Sequence, residues 1–201
     1  MIENKLGVHD PVTLAHEEER ISKAAAFRLY RDGTLDALIP GSFVALQTIH
    51  ARMFGEIYDF AGKVRTVNLA KGGFRFASAL YLDSAIKAVE RMPQTTFDEI
   101  VEKYVEMNVA HPFRQGNGRS GRIWLDHILR AELGKTIDWS SITRDDYLFA
   151  MERSPIRDLE LKALLRGALS DRLDNASLLA RGIDMSYAYE GYAAYRTEDL
   201  Q

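Results

Sequence analysis

Apolar residues recur at helical intervals along most of this 201-residue chain. Between Glu17 and Tyr30, the residues Ile21, Ala24, Ala25 and Leu29 share one face. From Ser42 to about Tyr58, Phe43, Leu46, Ile49, Met53 and Ile57 do the same. Leu82–Met92 reads as a third helix. Thr96-Phe97-Asp98-Glu99 matches a capping box and opens a fourth helix, which ends at Ala110. Pro112 disfavours helical geometry at His111, so the chain turns there. The next helix starts within Gly116–Arg119 and ends near Gly134, a C-cap residue. Thr143 caps another, which Pro155 follows, and Leu161, Leu164 and Leu165 mark a further one over Leu159–Leu169. The last helix runs from Gly182 towards Tyr195. One interval breaks this period. From Gly62 to Ala77, two strand-like pieces flank Gly72-Gly73, with Phe74 and Phe76 alternating with Arg75, which predicts a β-hairpin. The expected fold is all-α with one small hairpin, forming a single domain over residues 1–201 with no linker or repeat.

Composition narrows what such a domain does. An apolar content of 46% supports an ordinary core. A net charge of −3, with no basic run, argues against direct nucleic-acid binding through a broad cationic face. The absence of cysteine excludes disulfides, thiolate zinc sites and a cysteine nucleophile. The N-terminal residues lack a signal-peptide core and no stretch is apolar enough to span a membrane, so the expected location is the cytoplasm.

The candidate chemistry is concentrated in His111-Pro112-Phe113-Arg114-Gln115-Gly116-Asn117-Gly118-Arg119-Ser120-Gly121-Arg122. A glycine-rich turn that enters a helix offers backbone N–H groups and the helix dipole to an anion. Arg119 and Arg122 stand one turn apart and add donors suited to phosphate oxygens. His111 supplies an imidazole that titrates near neutrality, suited to accepting a proton. The spacing fits neither a P-loop nor a dinucleotide fingerprint, because no Gly-x-x-x-x-Gly-Lys-Ser/Thr run occurs and the preceding residues are helical. A plain turn with solvated arginines is the alternative reading of these residues by themselves.

The segment resembles His-Pro-Phe-x-(Asp/Glu)-Gly-Asn-Gly-Arg-x-x-Arg, the signature of Fic-domain proteins, with Gln115 as its one departure. Residues Leu46–His50 and Met53–Arg65 are similar to that family's N-terminal helix and flap entry. Ser186-Tyr187-Ala188-Tyr189-Glu190-Gly191 resembles the (Ser/Thr)-x-x-x-Glu-(Gly/Asn) inhibitory motif of its short members. The resemblance covers the chain from about Ser42 onwards. It implies a Fic-type helical domain with a motif loop at 111–122, a flap at about 63–77 and a C-terminal inhibitory helix at about 183–195.

It also implies protein adenylylation, the transfer of AMP from ATP to a Ser, Thr or Tyr hydroxyl of a target protein, with Mg²⁺. His111 would be the general base. Gly116, Asn117 and Gly118 would cradle the phosphates, with the Asn117 side-chain amide contributing, and Arg119 and Arg122 would hold them. Lys71 and Asn108 are weaker candidates for nucleotide contact. Gly72, Gly73, Phe74, Arg75 and Phe76 of the flap would dock the target as an added strand. Ser186 and Glu190, four residues apart, would share a face of the last helix, and a salt bridge from Glu190 would occupy Arg122. Gln115 stands where the family has an acidic metal ligand and offers only a carbonyl oxygen to a hard cation. That departure keeps open de-adenylylation, another nucleotide donor, or a catalytically impaired nucleotide-binding module. By resemblance, DNA gyrase and topoisomerase IV are candidate targets. Tyr187, Tyr189 and Tyr192 are candidates for self-modification or for packing, and the apolar final helix also suits a homo-oligomer contact.

Overall fold

The computed structural model describes residues 2–200, which contain eight α-helices and two short antiparallel ladders. Helix α1 (Pro11–Leu29) starts earlier than its periodicity predicts. Asp10 accepts the Thr13 N–H at 2.7 Å, and Pro11 at the first helical position has φ already set. Helix α2 (Phe43–Phe54) is capped by Ser42, whose hydroxyl accepts from the Ala45 N–H at 3.1 Å, and it stops at Gly55 rather than near Tyr58. Helix α3 is Leu82–Glu90. Helix α4 (Phe97–Ala110) has both halves of the capping box between Thr96 and Glu99. Helix α5 (Asn117–Leu133) lies between two left-handed glycines, Gly116 and Gly134. Helices α6 (Arg144–Arg153) and α7 (Leu159–Gly167) follow.

Helix α8 (Ala176–Ala188), capped by Asn175, both begins and ends before the expected 183–195. Glu190 therefore lies in the turn just past the helix, with its N–H bonded to the Tyr187 carbonyl at 2.9 Å, and not on a continuing helical face.

The flap is also shorter than predicted. Strand β1 (Ala70–Lys71) pairs with β2 (Phe74–Arg75) around Gly72-Gly73, with Gly72 at φ +57°, a turn conformation that glycine adopts without steric cost. The preceding residues of 63–77 run as irregular chain. A second ladder, β3 (Thr136–Ile137) with β4 (Leu169–Ser170), corrects the expectation of a single hairpin. Strands of two residues are too short to leave an alternating pattern.

Helix α5 forms the centre of the core. Trp124, Leu125, Ile128 and Leu129 are fully buried where α5 packs on α2 and α4, in the same core as Ile49, Ile100 and Val101. Helix α5 is buried on nearly every face from Asn117 to Leu129, its charged residues included, and α8 adds to the enclosure by packing on α1 and on the turn at Trp139–Ser141. Among the described residues no helix is long and apolar enough to cross a membrane.

Candidate active site

The site forms where α4 ends and α5 begins. His111 takes up φ +52° between them, the one non-glycine residue with positive φ among those described. Such a conformation is uncommon outside glycine and needs surrounding structure to hold it. Much of that hold comes from Arg65. Its side chain donates to the carbonyls of His111 at 2.7 Å, Val67 at 2.5 Å, Ala77 at 2.6 Å and Ala110 at 3.1 Å. Its backbone N–H reaches the Pro112 carbonyl at 2.8 Å. One buried guanidinium thus ties the approach to the flap, the flap's end and the motif loop together.

The His111 imidazole stacks on Phe76 with centroids 3.7 Å apart. Its Nδ1 lies 3.2 Å from the Asn108 carbonyl, which can only accept. Nδ1 therefore carries the proton and Nε2 is left with a free lone pair. Burial pushes the imidazole down to about 4, so the ring is neutral at physiological pH and able to accept a proton. Asn108 contributes this carbonyl, and Lys71 is exposed on β1 within electrostatic reach of His111 and Glu190.

Gly116 has φ +80°, and a Cβ there would lie 2.5 Å from the Phe54 ring, so both conformation and space call for glycine. The Asn117 side chain points back into the loop and not toward an anion. Its Oδ1 accepts the Phe113 N–H at 2.8 Å and its Nδ2 donates to the Phe113 carbonyl at 2.7 Å. This corrects the expected side-chain role of Asn117, because both ends of its amide are used to close the turn. Its backbone N–H remains at the helix start, where the first donors have no intrahelical partner. Behind the loop, His50 accepts the Gly62 N–H at Nδ1 (2.9 Å), so its Nε2 donates to the Gln115 carbonyl at 2.7 Å. It also stacks on Phe113 at 3.9 Å, and burial pushes it down to about 4.

Glu190 sits over the start of α5. A Cβ on Gly118 would lie 2.4 Å from its Oε1, so glycine makes room for this approach. Its carboxylate spans both arginines, with Oε2 2.8 Å from Arg119 Nε and Oε1 2.8 Å from Arg122 Nη2. Only the Arg122 contact is a well-directed hydrogen bond. The expected pairing of Glu190 with Arg122 is present, and Arg119 joins it. Burial works against the charged carboxyl, but the two arginines outweigh it and hold Glu190 below the ordinary range. Arg122 also donates to the Ser186 hydroxyl at 2.6 Å, the Ser186 carbonyl at 2.7 Å and the Tyr147 hydroxyl at 3.3 Å. A negative group at a helix N-terminus between two arginines occupies the position that suits a phosphate.

Position 115 offers Mg²⁺ no carboxylate, only an amide carbonyl oxygen. Gln115 spends its amide nitrogen on Glu18 at 2.8 Å, and no cluster of three or more His, Cys, Asp or Glu residues occurs among those described. The three tyrosines near Glu190 are engaged as well. Tyr187 donates to Ser22 at 2.8 Å, Tyr189 to the Trp139 carbonyl at 3.0 Å and Tyr192 to Glu18 at 2.9 Å. Tyr187 and Tyr189 are buried, which supports packing over self-modification in this conformation. Arg65, His50, Tyr147 and Glu18 are the site residues that motif reading missed.

Residues 41–129 match the Fic/DOC family. Over 196 residues the chain is 29% identical to protein adenylyltransferase VbhT of Bartonella schoenbuchensis, covering 91% of this chain but 39% of that protein. Over 183 residues it is 27% identical to a probable protein adenylyltransferase Fic of Salmonella typhimurium, covering 85% of this chain and 88% of the relative. Its fold matches the crystal structure of BepC with bound AMPPNP from Bartonella tribocorum with a TM-score of 0.72 at 22% identity, over 85% of this chain and 92% of that one. Residues 41–129 are thus similar to a Fic domain, and the helical architecture has the fold of the solved Fic-domain structures.

Proposed function

We propose that this Fic-domain enzyme is a self-inhibited protein adenylyltransferase. The observation that supports this most is the Glu190 carboxylate seated on both arginines at the α5 N-terminus, beside a neutral His111. In the reaction, a target hydroxyl attacks the α-phosphorus of ATP. The new O–P bond forms as the bond to the β-phosphate oxygen breaks, and pyrophosphate leaves with that electron pair. The hydroxyl proton passes to His111 Nε2. Arg119, Arg122 and the N–H groups of Gly118 and its neighbours neutralise and align the phosphates, which is where most of the rate in such transfers originates. With Glu190 in place, this anion position is taken and ATP cannot use it. The short β1–β2 ladder beside His111 offers free backbone for a target segment to extend.

Mg²⁺, which the family resemblance implies, finds no carboxylate ligand at position 115, and no step is assigned to it. That same residue favours a second reading, in which the donor is a different nucleotide.

The deciding experiment follows label from ATP labelled in its α-phosphate. It compares this chain with Glu190→Gly and Glu190→Gly/His111→Ala, each alone and with a bacterial lysate, with DNA gyrase and topoisomerase IV as the first defined acceptors. Label transfer by the single variant alone supports the transferase, its base and its brake. No transfer by any of the three, with nucleotide bound, rules against adenylylation and favours another donor.

A further inference from the structure

Glu18 is 2% exposed on the inner face of α1, and the motif assigns it no role. Its two oxygens collect four partners from three parts of the chain. Oε1 lies 2.8 Å from Arg119 Nη1 and accepts the Tyr192 hydroxyl at 2.9 Å. Oε2 accepts Gln115 Nε2 at 2.8 Å and also the Tyr58 hydroxyl. A carboxylate this deeply buried persists only where its partners replace its lost hydration. Two of those partners belong to the motif loop: an arginine of the phosphate cradle and the residue at the metal-ligand position.

Arg119 lies between two carboxylates, Glu18 on one side and Glu190 on the other. They differ in how they are held. Glu190 projects from a turn at the end of α8, whereas Glu18 is set in the middle of a long helix. A phosphate that displaces Glu190 therefore leaves Glu18 in place, and the guanidinium keeps its position without reorganising. Position 115 is set by the same group. A second carboxylate ending 2.8 Å from Glu18 would set two acceptors of like charge against each other with no proton between them, whereas an amide donates a hydrogen bond there.

We propose that Glu18 is a positioning residue of the nucleotide site. It holds Arg119 when Glu190 departs, and it is matched to Gln115, which is the residue that fits beside it. This rests on the reading of Arg119 as a phosphate ligand.

Two measurements on the full chain test it. The first is a thermal-unfolding cycle over Gln115→Glu, Glu18→Gln and the pair together. Gln115→Glu is expected to lower Tm by about 5 °C, and adding Glu18→Gln to return at least half of that loss. Additive losses in the double variant overturn the match. Should Gln115→Glu fail to fold, recovery of folding in the double variant is the supporting outcome and its failure the opposing one.

The second measurement is made in the Glu190→Gly background, on kcat for AMP transfer and Kd for AMPPNP. Glu18→Gln is expected to lower kcat about tenfold and to change Kd by less than about threefold, the signature of a misplaced group that matters most in the transition state. A kcat that falls only with the folded fraction overturns positioning. If Glu190→Gly itself neither binds AMPPNP nor transfers AMP, the nucleotide reading falls and the role of Glu18 in it falls too.

Discussion

The two sides of the motif loop are built by opposite means. On the flap side, a short ladder, one buried arginine and a stacked phenylalanine hold His111, and most polar contacts run to backbone carbonyls. On the arginine side, side chains meet side chains: Glu18, Glu190, Ser186 and Tyr147 surround Arg119 and Arg122 with little solvent access. Backbone-directed contacts fix a shape whatever residues pass over it, which under the proposed function suits a surface for a target segment. A buried ion-pair cluster fixes particular charges and is best changed by another anion, which under the proposed function suits a brake that a nucleotide displaces.

Perturbations of the two sides should therefore differ in kind. The largest effect expected is on the base. In the Glu190→Gly background, His111→Ala is expected to lower AMP transfer about 10³-fold, within the range for loss of a general base. Radiolabel transfer under single-turnover conditions measures it. Next comes the lock itself. Glu190→Gly is expected to raise transfer on the order of 100-fold over the unaltered chain, a coupling at the upper end of those between sites. Equal rates for the two proteins would mean that the carboxylate does not block the reaction.

Arg65→Ala tests whether the flap side is held as described. Removing it leaves buried carbonyls unpaired and is expected to cost about 3 kcal/mol, lowering Tm by several degrees. Calorimetry reads this directly, and a shift below about 1 °C would assign the hold to other groups.

A smaller effect comes from pH. Burial depresses His50 and His111 to about 4, below their unfolded value, so below pH 6.5 the unfolded chain binds protons that the folded chain refuses. Stability from these two groups is complete above that pH and declines as pH falls toward 4. Tm measured from pH 7 to 4 should drop, and less steeply in His111→Ala. The smallest change is expected at the hairpin tip. Gly72→Ala has open space for its methyl group, and its strained φ should cost only about 1 kcal/mol.

Much of the fold was legible because its signals are local. Thr96 and Glu99 cap α4, Gly116 and Gly134 bound α5, and Pro112 turns the chain at His111, each within a few residues. The starts of α1 and α8 fall earlier than the apolar periodicity predicts because Asp10 and Asn175 cap them outside the apolar runs. Glu18 did leave a trace in the sequence. It shares the helical face of Ser22, Ala25 and Leu29, an acid on the side that turns inward. Nothing nearby in the chain says what such an acid meets.

The sequence alone determined the loop and the groups it carries: an imidazole, a glycine turn and two arginines at fixed spacing. Tertiary structure decided their electrostatic state. Arg119 and Arg122 meet Glu18 and Glu190 only because α1 and α8, far apart in the chain, pack against each other over the start of α5. Local geometry is set by bonds and caps within a turn or two. The charge environment of a buried arginine depends on whichever distant side chains the core brings to it.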